Sequence, residues 1–223
     1  MRNKNLFIRV PAFLFGLLCM GFGIGLITKA GLGTSPISSL AYVLSLIFPF
    51  SFGQFTLAFS VLFLLLQLPI LKKDFKKRDW LQIIVAVIFG IFVDLGMRAC
   101  SGLNPVFYPW RLSLLAVGCL VMAIGVYLQV RADIIMNPGE GLVKAIASKG
   151  KFEFGAVKIA FDATLVVLAI LLSLFIFHAV RGVREGTLVA AVLTGYLTRC
   201  LGKAEATIRR LFPVKKTRRE IRP

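Results

Sequence analysis

Histidine is almost absent from this chain: His178 is the only one in 223 residues. The four cysteines, Cys19, Cys100, Cys119 and Cys200, show no C-x-x-C or Cys/His spacing, so the ligand patterns that a metal centre requires are missing. There is also no Ser/His/Asp set, no H-E-x-x-H pair and no phosphate loop, and Gly23-x-Gly25 lies inside an apolar run with no strand before it. These absences argue against an enzyme, a metal and an organic cofactor. The cysteines read as small buried hydrophobes, three of them within apolar runs. Acidic residues are scarce as well, 10 against 27 Lys and Arg, which leaves a formal charge of +17. The basic residues fall between apolar runs and in the C-terminal tail rather than across a folded face, which argues against nucleic acid as a partner.

Apolar length is what the chain has in excess. A hydrophobic fraction of 58% and a mean hydropathy of +0.85 exceed what a water-facing surface tolerates. Apolar runs at 10–28, 53–71, 81–97, 112–130, 155–177 and 186–201 approach the length needed to cross a hydrocarbon core about 30 Å thick. Six spanning helices are expected, with the lipid bilayer as the main partner. The start, Met1-Arg-Asn-Lys-Asn-Leu, resembles the charged part of a signal peptide. The apolar run behind it is longer than a signal core and its end recurs later, which predicts a first helix rather than a cleaved leader.

That recurrence is an internal repeat. Residues 23–66 align without a gap on 125–168, matching Gly23/Gly125, Ala30/Ala132, Pro36/Pro138, Phe50/Phe152, Phe52/Phe154 and Gly53/Gly155 among eleven identities. Leucine and phenylalanine coincide by chance in any membrane protein, so the weight lies on the punctuation. A basic residue (Lys29, Arg131), a cap-Pro pair (Ser35-Pro36, Asn137-Pro138) and Phe-x-Phe-Gly all recur in register. Each unit therefore reads as a long helix, a polar break, a short helix, a second long helix and a third. The short helix of unit one, Pro36 to about Phe48, reaches roughly 20 Å and is too short to cross easily. It is expected to be re-entrant or interfacial, as is its counterpart from Pro138 to about Ser148, which is polar enough to lie flat on the inner surface.

With three spans per unit, the second unit must be inverted relative to the first. If the N-terminus is inside, segments 1–9, 72–80, 131–158 and 199–223 are cytoplasmic and hold twenty-two Lys and Arg, against five outside: Lys29, Arg98, Arg111, Arg181 and Arg184. The positive-inside rule favours this arrangement, with both termini cytoplasmic in a bacterial inner membrane. The expected fold is thus all-α, six transmembrane helices in two inverted three-helix repeats (1–109 and 110–202), followed by a basic tail, 203–223, held against an anionic leaflet.

Inverted repeats with broken helices place a site at mid-membrane between the halves, so the breaks are the candidate site. In unit one the candidates are Lys29, Gly31, Gly33, Thr34 and Ser35: glycines let backbone approach a ligand, Thr34 or Ser35 can cap, and the free N–H groups of a helix start favour an anion. In unit two they are Arg131, Asp133, Asn137 and Glu140, a more charged set. Ionisable groups within spans form a second class. Asp162 has Lys158 four residues before it and Asp94 has Arg98 four residues after, so each can pair on one helix face or serve in coupling. Gln54, Gln67, Gln82 and Gln129 are expected to make interhelical hydrogen bonds.

The stretch Gly23-Ile-Gly25-Leu-Ile-Thr-Lys29-Ala30-Gly31-Leu-Gly33-Thr34-Ser35-Pro36 resembles the signature of the bacterial YczE/YyaS/YitT membrane proteins, as do Phe52-Gly53, Asn137-Pro138-Gly139 and Gly186-Thr187 through Gly195. The resemblance implies bacterial inner-membrane proteins of about six helices, mostly without an assigned activity and sometimes suggested to be transporters or exporters, with no catalytic residues to carry over. The leading expectation is a secondary transporter of a small, anionic or amphipathic solute. Two alternatives stay open: a substrate-binding membrane subunit that works with an ATPase, and a non-transporting scaffold or assembly factor. A homo-oligomer or a partner membrane subunit is compatible with each.

Overall fold

The computed structural model describes residues 6–211, and every regular element among the described residues is helical. Eight α-helices follow one another: α1 (Leu6–Lys29), α2 (Ser39–Ile47), α3 (Phe52–Leu71), α4 (Gln82–Ala99), α5 (Tyr108–Ala132), α6 (Pro138–Gly150), α7 (Phe154–Phe177) and α8 (Glu185–Leu211). A 3-10 turn, Pro36–Ser38, runs straight into α2, and two more link α3 to α4. Pro36 and Pro138 each open a short helical segment, where a missing N–H costs nothing. Phe52 and Phe154 each open the long helix that follows. The offset of the sequence repeat is therefore carried into the positions where elements start.

Five stretches are long and apolar enough to cross a membrane: Phe7–Lys29, Phe52–Asp74, Lys77–Ala99, Tyr108–Ala132 and Phe154–Phe177. The sixth expected span falls on α8, which at 27 residues has the length but a lower hydropathy, because Arg199, Lys203 and several glycines and threonines interrupt its apolar residues. α8 also continues through Lys203 to Leu211, so no break marks the boundary expected at 203. The rest of the expected basic tail, 212–223, lies outside the described residues.

Lipid is as apolar as leucine, so helices in a bilayer gain from close packing rather than from escaping water, and small residues set the contacts. α1 and α5 form the central pair and run antiparallel: Gly16 packs on Gly125, Gly23 on Met122 and Gly118 on Ile27. α1 and α4 run parallel, with Gly21 against Phe92 and Gly25 against Gly96. α3 returns antiparallel to α4 through Gly53 and Gly90. Large apolar side chains face outward, among them Phe7, Phe175 and Val192, at 91%, 82% and 75% exposure, as a lipid-facing surface requires.

α6 packs on α3 and on α7, while α2 packs on α3 and, with its leading turn, on α7. α3 lies closely along α4, whereas α7 and α8 scarcely touch among the described residues. Their 178–184 connection passes over α2, where Gly182 sits against Tyr42 and Val43, and the Pro36–Ser38 turn contacts both α7 and α8.

Candidate functional site

The first break begins where α1 ends. Gly31 (φ +71°) and Gly33 (φ +111°) turn the chain through conformations that side chains disfavour, and Gly33 lies so close to Thr187 Oγ1 of α8 that no Cβ fits there. Thr28 Oγ1 is 2.8 Å from Thr34 Oγ1, and Arg184 Nη1 donates to the Gly31 carbonyl at 3.2 Å. Thr34 and Ser35 are fully buried. Ser35 occupies the N-cap position with extended backbone, but its hydroxyl donates to Ser38 Oγ at 3.0 Å instead of capping the helix. Neither hydroxyl acts as the expected side-chain cap. Lys29 sits half-buried at the end of α1.

The second break is organised differently. Asp133 takes a left-handed conformation (φ 44°), and its side chain is 95% exposed. Arg9 donates to the Ala132 and Asp133 carbonyls at 2.7 and 2.6 Å, and Arg78 donates to the Ile134 carbonyl. Arg131 turns away to pair with Glu205 on α8. The side chains of Asp133 and Arg131 are tied to Arg9 and Glu205, respectively. Their placement follows from position: Arg131 stands in the last turn of α5 and Asp133 directly after it, where the chain turns. Asn137 is buried at the N-cap of α6, yet its side chain makes no hydrogen bond among the described residues.

The two breaks converge because the short helices begin back to back. Ile37 Cδ1 reaches within 2.5 Å of where a Cβ on Gly139 would stand, and Phe63 of α3 flanks the same glycine. Beneath this contact, Gln67 and Gln82 exchange hydrogen bonds at 3.2 Å, and Gln67 Nε2 donates to the Pro138 carbonyl at 3.1 Å. The expected interhelical role holds for this pair. Gln54 instead closes a capping box with Ser51 at the start of α3, and the buried Gln129 amide has no partner among the described residues.

Asp162 pairs with Lys158 at 2.6 Å, as its spacing predicts. Glu140 lies on α6 within electrostatic reach of both, a proximity that no sequence spacing announces. Asp94 does not pair with Arg98. It accepts from Ser51 Oγ at 2.5 Å and from the Gly53 N–H at 2.7 Å, neutralising the start of α3 across the interhelical contact. Lys149 at the end of α6 meets Asp74 at 2.5 Å.

Long apolar helices with two short helices meeting among buried polar groups define a multi-pass helical membrane protein. The chain belongs to a family of unknown function, DUF6198, whose model matches residues 7–203. It is similar to the uncharacterized protein YyaS of Bacillus subtilis (strain 168), 29% identical over 185 residues that cover 82% of this chain and 86% of the relative. No solved structure matches the chain.

Proposed function

We propose that the protein is a secondary transporter or exporter of a small anionic or amphipathic solute in the bacterial inner membrane, working through two inverted three-helix repeats. The observation that carries this reading is the meeting of two helix starts at Ile37 and Gly139, flanked by buried Thr34, Ser35 and Asn137. Broken helices whose N-termini point inward are how such folds present N–H groups to an anionic solute. The antiparallel packing of α1 on α5, which occupy equivalent places in the repeat, supports the inversion. The packing of both short helices on α3 and α7 supports a re-entrant rather than interfacial placement. The difference between the close α3–α4 contact and the open α7–α8 pair supports alternating access, since exchanging the two arrangements would expose the centre to the opposite side.

The test is flux. Full-length protein in proteoliposomes is loaded against a panel of organic anions, with and without a pH gradient, and saturable uptake above protein-free vesicles is expected for at least one of them. Absence of saturable flux across the panel in both orientations would sink the reading.

A further inference from the structure

Each break is clasped by two arginines that come from elsewhere in the chain. At the second, Arg9 of α1 donates to the Ala132 and Asp133 carbonyls, and Arg78, ahead of α4, donates to the Ile134 carbonyl. At the first, Arg184, ahead of α8, donates to the Gly31 carbonyl at 3.2 Å, and Arg111 Nη1 of α5 stands 4.0 Å from where a Cβ on Gly31 would be. The two clasps correspond. At the offset that sets Pro36 on Pro138, Arg9 falls on Arg111 and Gly31 on Asp133. Arg78 and Arg184 each lie in the connection before the third long helix of their unit.

The correspondence fails at one group. The Asp133 carboxylate lies 3.6 Å from Arg9 Nη2 and gives the second clasp its own counter-charge. Gly31 has no side chain to do the same for Arg111, whose one hydrogen bond among the described residues runs from Nε to the Pro105 carbonyl at 3.0 Å. Glu185 is the acid beside the first clasp, but it faces Arg184 Nε at 3.4 Å. Lys29, two residues before Gly31, adds a further cation to this end of α1. Two guanidiniums at one glycine, with a single loosely held acid, favour an anion, and their planar forks suit a carboxylate.

We propose that Arg111 and Arg184 form a binding site for a free carboxylate beside Gly31, in the place that the Asp133 side chain takes in the second clasp. The chain itself thus carries the pattern for the ligand: a carboxylate on one residue of unit two stands for a carboxylate from outside in unit one. Gly31 and Arg184 are exposed, so the anion arrives from the aqueous phase. Guanidiniums so open to water bind weakly, with a dissociation constant on the order of 10 mM. The inference deepens the transporter reading by naming carboxylates as its solute class, and rests on it for that role alone. Binding is measurable without flux.

The experiment is protection from arginine modification. Full-length protein in phosphatidylcholine nanodiscs, open to water on both faces, is treated with p-hydroxyphenylglyoxal, and the modified arginines are located by mass spectrometry. Benzoate at about five times the dissociation constant is expected to slow modification of Arg111 and Arg184 about sixfold, relative to chloride at equal ionic strength. Arg9, whose clasp holds Asp133, is expected to show no such effect. G31D supplies the carboxylate within the chain, in a left-handed conformation that Asp133 also adopts, and is expected to abolish the benzoate effect at Arg111. D133G is expected to extend the effect to Arg9, and it keeps the test decisive if G31D fails to fold. Equal protection of all arginines, or none at Arg111, overturns the site. So does a benzoate effect undiminished in G31D, or an Arg9 that stays unprotected in D133G. Protection of Arg111 by added phosphatidylglycerol that benzoate cannot reproduce assigns the clasp to a lipid headgroup and overturns the free carboxylate. The two readings fail separately: benzoate protection without flux of any anion removes the transporter and keeps the site, and saturable flux without protection does the reverse.

Discussion

Ile37 stands where residue 139 has no room for a side chain: its Cδ1 lies 2.5 Å from the position a Cβ on Gly139 would take. This contact joins the starts of the two short helices, so anything added at 139 pushes them apart. The obstructing atom is the end of a flexible side chain, which limits the damage. Gly139→Ala is expected to destabilise the protein by about 1 kcal/mol, and Ile37→Ala in the same chain is expected to recover part of that loss. A double-mutant cycle on thermal unfolding in detergent reads the coupling. Additive effects would mean that the two helices do not meet here.

Gly53 and Gly155 are partners in the repeat but not in their surroundings. A Cβ on Gly53 would collide with the backbone carbonyl of Gly90 and lie 2.6 Å from Asp94 Cγ, whereas one on Gly155 meets only Glu153 Oε1 at 3.5 Å. Backbone cannot move aside as a side chain can. Gly53→Ala is expected to cost about 1–3 kcal/mol or to prevent folding, while Gly155→Ala is expected to be tolerated, with a melting temperature close to the wild type. Equal effects would show that α3 and α7 are packed alike, contrary to the asymmetry between the units.

These contrasts mark what sequence reading reaches in such a chain. Pro36, Pro138, Phe52 and Phe154 were legible because helix starts are written locally, by the proline and cap residues beside them. Lys158–Asp162 was legible because four residues make one helical turn. The partners of Asp94 were not, since Ser51 lies 43 residues away and is brought in only by the α3–α4 packing. Arg9 reaches Asp133 across 124 residues, a separation that no local spacing announces. A basic residue near the chain start has a topological explanation that conceals its structural one. Ser35 and Asn137 occupy the N-cap positions that the proline after each predicts, but the Ser35 hydroxyl takes Ser38 Oγ as its partner. The sixth run, 186–201, is the apolar part of α8, whose remaining residues carry the helix beyond it.

Asp94 is expected to matter for stability rather than for solute. Its carboxylate accepts two hydrogen bonds at the N-terminus of α3, one of them from backbone. Asp94→Ala should therefore lower stability by about 1–2 kcal/mol, Asp94→Asn by less, and Arg98→Ala by little, because no Asp94–Arg98 pair exists among the described residues. Thermal melts of the three variants check the order. A loss in Arg98→Ala equal to that in Asp94→Ala would restore the ion pair expected from the spacing.

Ser35 and Asn137 offer the sharpest test of the inverted arrangement, because each begins a short helix and the two helices leave the centre in different company. α2 leads into the start of α3, and α6 into the start of α7. If the repeats are inverted, those starts lie on opposite faces. In a background lacking the four native cysteines, S35C is expected to react with a membrane-impermeant maleimide only from outside, and N137C only from inside. Both positions are buried, at 1% and 7% exposure, so reaction should be slow at rest and faster whenever the centre opens. A transported anion is expected to protect both thiols, since their helices meet at one point. Labelling of both from the same face would remove the inversion, and protection of one alone would separate the two breaks into independent sites.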